Sequence, residues 1–294
     1  MEKKFAYILI IILFGHTFFD SQAQIIPASY TQKDSIRIEN LLKQLSNKYI
    51  SIEKQILRFG LSFIGTPYVG GTLEKNEREQ LIINVHELDC TTFVETVLAL
   101  TLTTQENSSN FRNFCANLQE IRYRNGNIDK YPSRLHYFSD WIQDNIQKGI
   151  IREVTPTKGS ITKKQNINFM SSHADKYPPI AKYKSFLKEI RQHEKRLTKL
   201  PMRYIPKDSL ALIDITQIHD GDIIAITTSI EGLDVSHVGL AYFQNRELHL
   251  LHASLGKKQV IIEDSSLNQQ LQRYKSQSGI RVLRIIDKKE ADKK

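Results

Sequence analysis

Cysteine is nearly absent from this chain: 294 residues hold only Cys90 and Cys115. That excludes the disulfide framework that staples many secreted domains. A single Cys90–Cys115 bridge is the alternative to two free thiols. Free thiols are the reading adopted, because a bridge would consume Cys90. No metal is expected, since His86, His136, His193 and His219 do not fall at zinc-ligand spacing. Gly-rich phosphate loops, internal repeats and low-complexity tracts are also missing, and no cofactor is expected. The charge balance is basic, with 41 Lys and Arg against 32 Asp and Glu, net +9. No recognised nucleic-acid motif accompanies it. Attraction to an anionic wall polymer or membrane surface is therefore expected rather than nucleic-acid binding. The most apolar run, 5–19, is about fifteen residues long against the roughly twenty that span a bilayer.

That run has a different explanation. Lys3 and Lys4 precede it, and Ser21-Gln22-Ala23 follows as a small-x-small cleavage site. Residues 1–23 are expected to be a signal peptide, with Gln24 as the mature start; an uncleaved anchor is the alternative. No cysteine follows the run, so a lipoprotein anchor is not available. The expectation is a secreted protein, in the first instance periplasmic. Removing 1–23 leaves the net charge unchanged, because Glu2 and Asp20 balance Lys3 and Lys4. Much of the basic excess lies in 158–207, including Lys163-Lys164 and Lys195-Arg196, and reads as a solvated face.

Hydrophobic residues make up 40% of the chain, ordinary for a globular domain, and one domain over 24–294 is expected. Periodicity predicts helices over 35–47, 51–63, 90–104, 110–120, 137–148, 182–196 and 267–274. Strands are predicted over 150–154, 167–170, 223–226, 235–243, 247–252, 260–262 and 280–286, with 82–88 extended and 122–133 a loop. Helices first and a run of strands after them imply an α+β fold with an antiparallel sheet.

Cys90 is the focus of the chemistry. In Leu88-Asp89-Cys90-Thr91-Thr92-Phe93-Val94-Glu95 it opens a helix whose free N–H groups and dipole favour a thiolate. A thiolate is an acyl-transfer nucleophile, although a lone cysteine is also often a small core residue. Far downstream, His237 lies in Ser236-His237-Val238-Gly239, and His249 and His252 lie in Leu248-His249-Leu250-Leu251-His252-Ala253-Ser254. A cysteine with distant strand histidines is a nucleophile-and-base pattern. A four-residue loop over 243–246 would set Tyr242 against Glu247 and His237 directly opposite His252. His249, three residues from His252, falls on the other face and reads as a packing or surface residue. Cys115, between Phe114 and Leu118, reads as structural.

Four blocks then occur in order: Gly65-Thr66-Pro67-Tyr68 with Gly70-Gly71, Asp89-Cys90, Gly221-Asp222, and His237-Val238-Gly239 followed by His252-Ala253-Ser254. In this the chain resembles the NlpC-type branch of the papain-like cysteine peptidases. The resemblance implies a nucleophile on a helix N-terminus packed on an antiparallel sheet. It implies Cys90 as nucleophile, His237 as base, His252 as its orienter and Tyr68 as an oxyanion donor beside the Cys90 N–H. The chain departs from the common pattern in Thr91-Thr92-Phe93 with Glu95, and in a long segment separating cysteine from histidine. The core would cover about 50–120 and 205–290, with an insertion over about 121–204. With Ile121-Arg122-Tyr123-Arg124 and Tyr131-Pro132-Ser133-Arg134-Leu135-His136-Tyr137, the chain is similar to the branch that cuts the N-acetylmuramoyl–L-alanine amide.

The expected function is thus a peptidoglycan or muropeptide hydrolase, acting as a monomer. The alternatives are a γ-D-glutamyl-diamino acid endopeptidase and a catalytically silent wall-binding module. Tyr123, Arg134, His136, Tyr137, Trp141 and His173 are candidate contacts for a sugar-peptide ligand. Tyr137 and Trp141, four apart, equally suit the buried face of one helix.

Overall fold

The computed structural model describes residues 28–47, 49–74 and 76–287, so the expected signal segment lies outside the described residues. The chain is α+β. It forms β1 (Ala28–Ser29), α1 (Gln32–Leu45), α2 (Ile52–Leu61), β2 (Leu81–Ile82), α3 (Cys90–Gln105) and α4 (Phe111–Arg122). Next come α5 (Phe138–Gln147), β3 (Ile151–Glu153), β4 (Ile161–Lys164), α6 (Phe169–Ser172), α7 (Pro178–Lys182), α8 (Lys184–Thr198) and β5 (Pro201–Pro206). The chain closes with β6 (Ile223–Thr228), β7 (Val235–Gln244), β8 (Glu247–Ser254), β9 (Gln259–Ile262), α9 (Leu267–Arg273) and β10 (Gln277–Ile285).

Side chains set the helix starts. Thr31 caps α1 in a reciprocal box with Asp34, and Ser51 caps α2. Asn110 accepts the Asn113 N–H at 2.9 Å to open α4. Helix α3 differs from the others in being buried all round, from Thr92 to Thr104. Its Thr101 and Thr103 hydroxyls are satisfied within the helix, on the Val97 and Ala99 carbonyls at 2.8 Å each.

The main sheet runs β4-β5-β10-β6-β7-β8-β9, with β3 beside β5 on the same edge of β10. Its pairings are antiparallel. Strand β6 shows why it is central: all six of its residues are buried. Ile223 and Ala225 join Phe59, Phe93, Leu98 and Trp141 in the core under the helices. Ile224 and Ile226 face the opposite way, toward Leu267 and Leu271 of α9. A third apolar cluster, including Tyr131, Tyr137, Met170 and Leu197, belongs to the segment between α4 and β5. That segment is also tied to the main core through Trp141, Ile142 and Ile151.

Three sequence expectations need correction. Residues 167–170 do not form a strand: Ile167 makes one bridge to Gly232, and the chain then turns into α6. Strands β4 and β5 were not anticipated. All four residues of β4 are exposed, so no alternation marks it, and Lys163 and Lys164 protect it as a sheet edge. Prolines bound β5 and disguise a paired strand. The β7–β8 loop has two residues, not four. Asn245 and Arg246 both take positive φ, 52° and 67°, and Gln244 pairs with Glu247. This tight turn matches the twist of the flanking strands without the usual Asn-Gly signal. Pairing then places His252 level with Gly239 rather than His237.

Candidate active site

Cys90 is the first residue of α3, as its sequence setting predicts. Asp89 is the N-cap. Its carboxylate accepts the Thr92 N–H at 2.8 Å, and its own N–H donates to the Thr92 hydroxyl at 2.9 Å. The threonine that departs from the common motif therefore closes a capping box that fixes Cys90 in place. Val238 presents its backbone N–H to the Cys90 sulfur, and Thr91 adds hydrogen bonds from its N–H and hydroxyl. Val238 follows His237 directly, so β7 carries the base candidate on the strand that packs against the start of α3.

The histidine pair survives the change of register. A shift of two residues preserves side-chain parity, so His237 and His252 are diagonal neighbours on one face. His237 Nε2 and His252 Nδ1 lie 2.6 Å apart, with the rings edge to face at 4.8 Å. Gly239 makes the diagonal possible. A Cβ there would lie 2.9 Å from the Cβ of His252 and 2.8 Å from Leu250. His249 points elsewhere, with Nδ1 on the Glu263 carbonyl at 2.9 Å.

Tyr68 is delivered by backbone pairing. Gly65, at φ +83°, starts a turn that lays 65–68 along β9, with the Tyr68 N–H on the Lys258 carbonyl at 2.9 Å. On the other side Leu88 donates to the Pro67 carbonyl at 3.0 Å, and Val69 donates to Leu88 at 3.1 Å. The block is thus clamped between the sheet edge and the residue preceding Asp89-Cys90. The Gly221-Asp222 block is structural. Any Cβ on Gly221 would strike Ile56 at 2.2 Å, and buried Asp222 takes both Nε and Nη2 of Arg284 at 2.7 Å.

Electrostatics do not produce a resting thiolate. Burial, and then the Asp89 charge, push the Cys90 thiol up to about 11. The hydrogen bonds from Val238 and Thr91 pull the other way without winning. Burial lowers His237 to about 4. Burial followed by His237 lowers His252 to about 3. The helix-start argument for a thiolate is overridden by desolvation. Tyr68 is raised to about 12 by burial, then by Cys90 and Asp89, and so keeps its proton.

A cavity of about 160 Å³ lies beside the Cys90 turn, lined by Asp89, Thr91, Glu95, Arg122, Arg134 and His136 among others. Two motif departures explain each other here. Glu95 and Arg122 form a pair at 2.7 Å with both side chains 3% exposed, and Arg122 also donates to the Ile82 carbonyl at 2.6 Å. Burial raises the Glu95 carboxyl and Arg122 opposes that shift. Replacing Arg122 with Met strands a buried carboxylate. The expected cost is about 3–5 kcal/mol of unfolding free energy, read by denaturant titration.

Of the ligand candidates, Arg134 and His136 reach this cavity. Arg134 is held by Glu74 at 2.8 Å and Glu79 at 3.4 Å. His136 stacks on Tyr131, ring centroids 4.2 Å apart. The others are placed differently. Tyr123 is buried with its hydroxyl on Glu79 and the Gln80 carbonyl. Tyr137 is buried on Glu194 and Trp141 against Phe138, so this pair anchors the core. His173 packs on Phe169 and bonds its carbonyl. Glu95, Arg122 and Glu74 were not singled out as site residues. Glu95 and Arg122 lie far apart in the chain, and nothing local in sequence marks them as partners. The basic run is not purely solvated, since Arg196 and Arg124 both hold buried Asp140. Cys115 is free and buried in the main core, and so is not bridged to Cys90.

Known proteins resemble this arrangement over most of the chain. An N-acetylmuramoyl-L-alanine amidase from Bacteroides uniformis ATCC 8492 has a solved structure that is 41% identical, with a TM-score of 0.76. The match covers 80% of this chain and 98% of that one. A Bacteroides fragilis structure described as a candidate xylanase is 44% identical with a TM-score of 0.74, covering 77% of this chain and 99% of that one. A Legionella pneumophila protein, 24% identical with a TM-score of 0.65, shares the fold over 86% of this chain and 95% of its own. No curated protein matches. The AmiA-like family model, described as N-acetylmuramoyl-L-alanine amidase-like, matches residues 58–280 and takes in Tyr68, Cys90, His237 and His252; the chain belongs to that family.

Proposed function

We propose that this protein is a secreted cysteine amidase with a papain-like NlpC-type core, cutting the bond between N-acetylmuramic acid and L-alanine in peptidoglycan fragments. The observation that carries the reading is the His237–His252 contact of 2.6 Å, with His237 next in the chain to Val238, whose backbone N–H faces the Cys90 sulfur. Family membership and the Bacteroides uniformis amidase supply the substrate class. A glycosidase reading finds less support. It needs two free carboxyl groups, whereas Asp89 caps α3 and Glu95 is committed to Arg122.

Chemistry would start from a neutral pair. His237 takes the thiol proton as Cys90 sulfur attacks the lactyl carbonyl. The oxyanion receives the Cys90 backbone N–H, which has no intrahelical acceptor at the helix start, and the Tyr68 hydroxyl, which is protonated and able to donate. His237 then protonates the departing L-alanine amine, and water hydrolyses the thioester. A second cavity, about 300 Å³, is lined by Tyr131, Tyr183 and Phe186 and shares Leu73 and Glu74 with the first. This inserted wall favours short soluble fragments over intact wall. The Ser21-Gln22-Ala23 site supports export, most directly to a periplasm.

Mature protein incubated with defined muropeptides should release free N-acetylmuramic acid-containing sugar and an intact stem peptide, identified by mass. Cleavage after D-glutamate would mean the endopeptidase activity instead. Binding without any product would mean a silent wall-binding module.

A further inference from the structure

We propose that Glu263 is a positioning residue that sets the tautomer of the candidate base through His252. This rests on the reading of Cys90 as nucleophile and His237 as base. With His252 Nδ1 on His237 at 2.6 Å, the second His252 nitrogen, Nε2, is buried and has no hydrogen bond among the described residues. Glu263 Oε2 stands 3.5 Å from it.

Backbone contacts fix the position of Glu263. Glu263 follows the last residue of β9, and its N–H donates to the Leu250 carbonyl at 2.8 Å. Its carbonyl receives His249 Nδ1 at 2.9 Å. Ser265 Oγ approaches the other carboxylate oxygen at 3.5 Å. His249, silent in the chemistry, thereby has a role: it fixes the backbone that carries Glu263.

Two proton arrangements fit the histidine pair. In the first, His237 Nε2–H donates to His252 Nδ1, leaving a lone pair on His237 Nδ1 to accept the thiol proton. His252 then carries its own proton on Nε2, facing the carboxylate. In the second, His252 Nδ1–H donates to His237 Nε2. His237 then carries its proton on Nδ1 and cannot act as base there, while a His252 lone pair faces the carboxylate. A carboxylate accepts and cannot donate, so it selects the first arrangement. When His237 takes the thiol proton its Nε2–H bond to His252 remains. No proton moves to Glu263; its charge is felt by the imidazolium through His252. A separation of 3.5 Å is longer than a formed hydrogen bond, and such contacts often tighten only as charge develops.

The test uses the full mature chain with Cys115→Ala, so that Cys90 is the reactive thiol. Glu263→Ala and the isosteric Glu263→Gln are compared with their parent by imidazole ¹⁵N NMR, iodoacetamide alkylation of Cys90, and muropeptide kinetics. Expected for Glu263→Ala are mixed His252 tautomers, slower alkylation, and kcat lower by about tenfold to a hundredfold with KM unchanged. Glu263→Gln, which keeps an acceptor, should be intermediate. A single Nε2–H tautomer and parental alkylation in a folded Glu263→Ala variant would overturn the proposal. Losses that only follow the unfolded fraction would overturn it too. Should the parent cleave no muropeptide, the amidase reading falls, while the tautomer and alkylation results still decide Glu263.

Discussion

Cys90→Ala is expected to lower muropeptide turnover by about 10⁴-fold or more while leaving the fold intact. The sulfur is the only atom lost, and Asp89 and Thr92 cap α3 through groups the substitution does not touch. Loss of one small atom opens little space. Cys115→Ala is the control. Burial raises that thiol to about 12 and it sits in the core, so most activity should remain. Product mass and circular dichroism on both variants check the pair. A Cys90→Ala enzyme of undiminished rate would exclude thioester chemistry.

The second large effect belongs to His237. His237→Ala should be as damaging as loss of the thiol, and the double variant should be little worse than either single one, because the two act as a unit. His252→Ala should be milder, since the base remains but is no longer held. His249→Ala should be milder again, its contact being to the Glu263 carbonyl. The pH dependence follows from the same burial. His237 must be unprotonated to act, and its pKa is lowered to about 4. The kcat/KM profile should therefore stay level well below neutrality and fall only as pH approaches about 4. An acid limb near 6.5 would show instead an ordinary, solvated imidazole. Stability follows with the same sign. Both histidines have folded pKa values depressed below the unfolded 6.5, so the unfolded chain binds more protons on the acid side. Their stabilising contribution is full above about pH 6.5 and is lost as pH falls through about 4 for His237 and about 3 for His252. Unfolding followed alongside rate separates the two effects.

Local pattern was enough for the elements that carry the candidate chemistry. The Cys90 helix, the meander from β6 to β9 and the parity of His237 with His252 follow from apolar spacing and caps, which are properties of a few adjacent residues. Parity is robust because an even change of register leaves a side chain on the same face. The register itself was not legible, since it depended on Asn245 and Arg246 both accepting positive φ. The exposed edge strand β4 was equally silent, because a strand without a buried face has no alternation to show.

Tertiary structure alone decided the rest. Whether Cys90 rests as thiol or thiolate depends on how much water the fold removes, and no spacing rule measures that. The Glu95–Arg122 pair, the Asp222–Arg284 pair and the approach of Glu263 to His252 join residues that only folding brings together, apart from the short hop from 252 to 263. Residue type told that Tyr137 and Trp141 could serve either a ligand or a core. Packing made them core: Trp141 is buried in the main core and Tyr137 in the cluster of the segment between α4 and β5, where large aromatic groups gain most from burial.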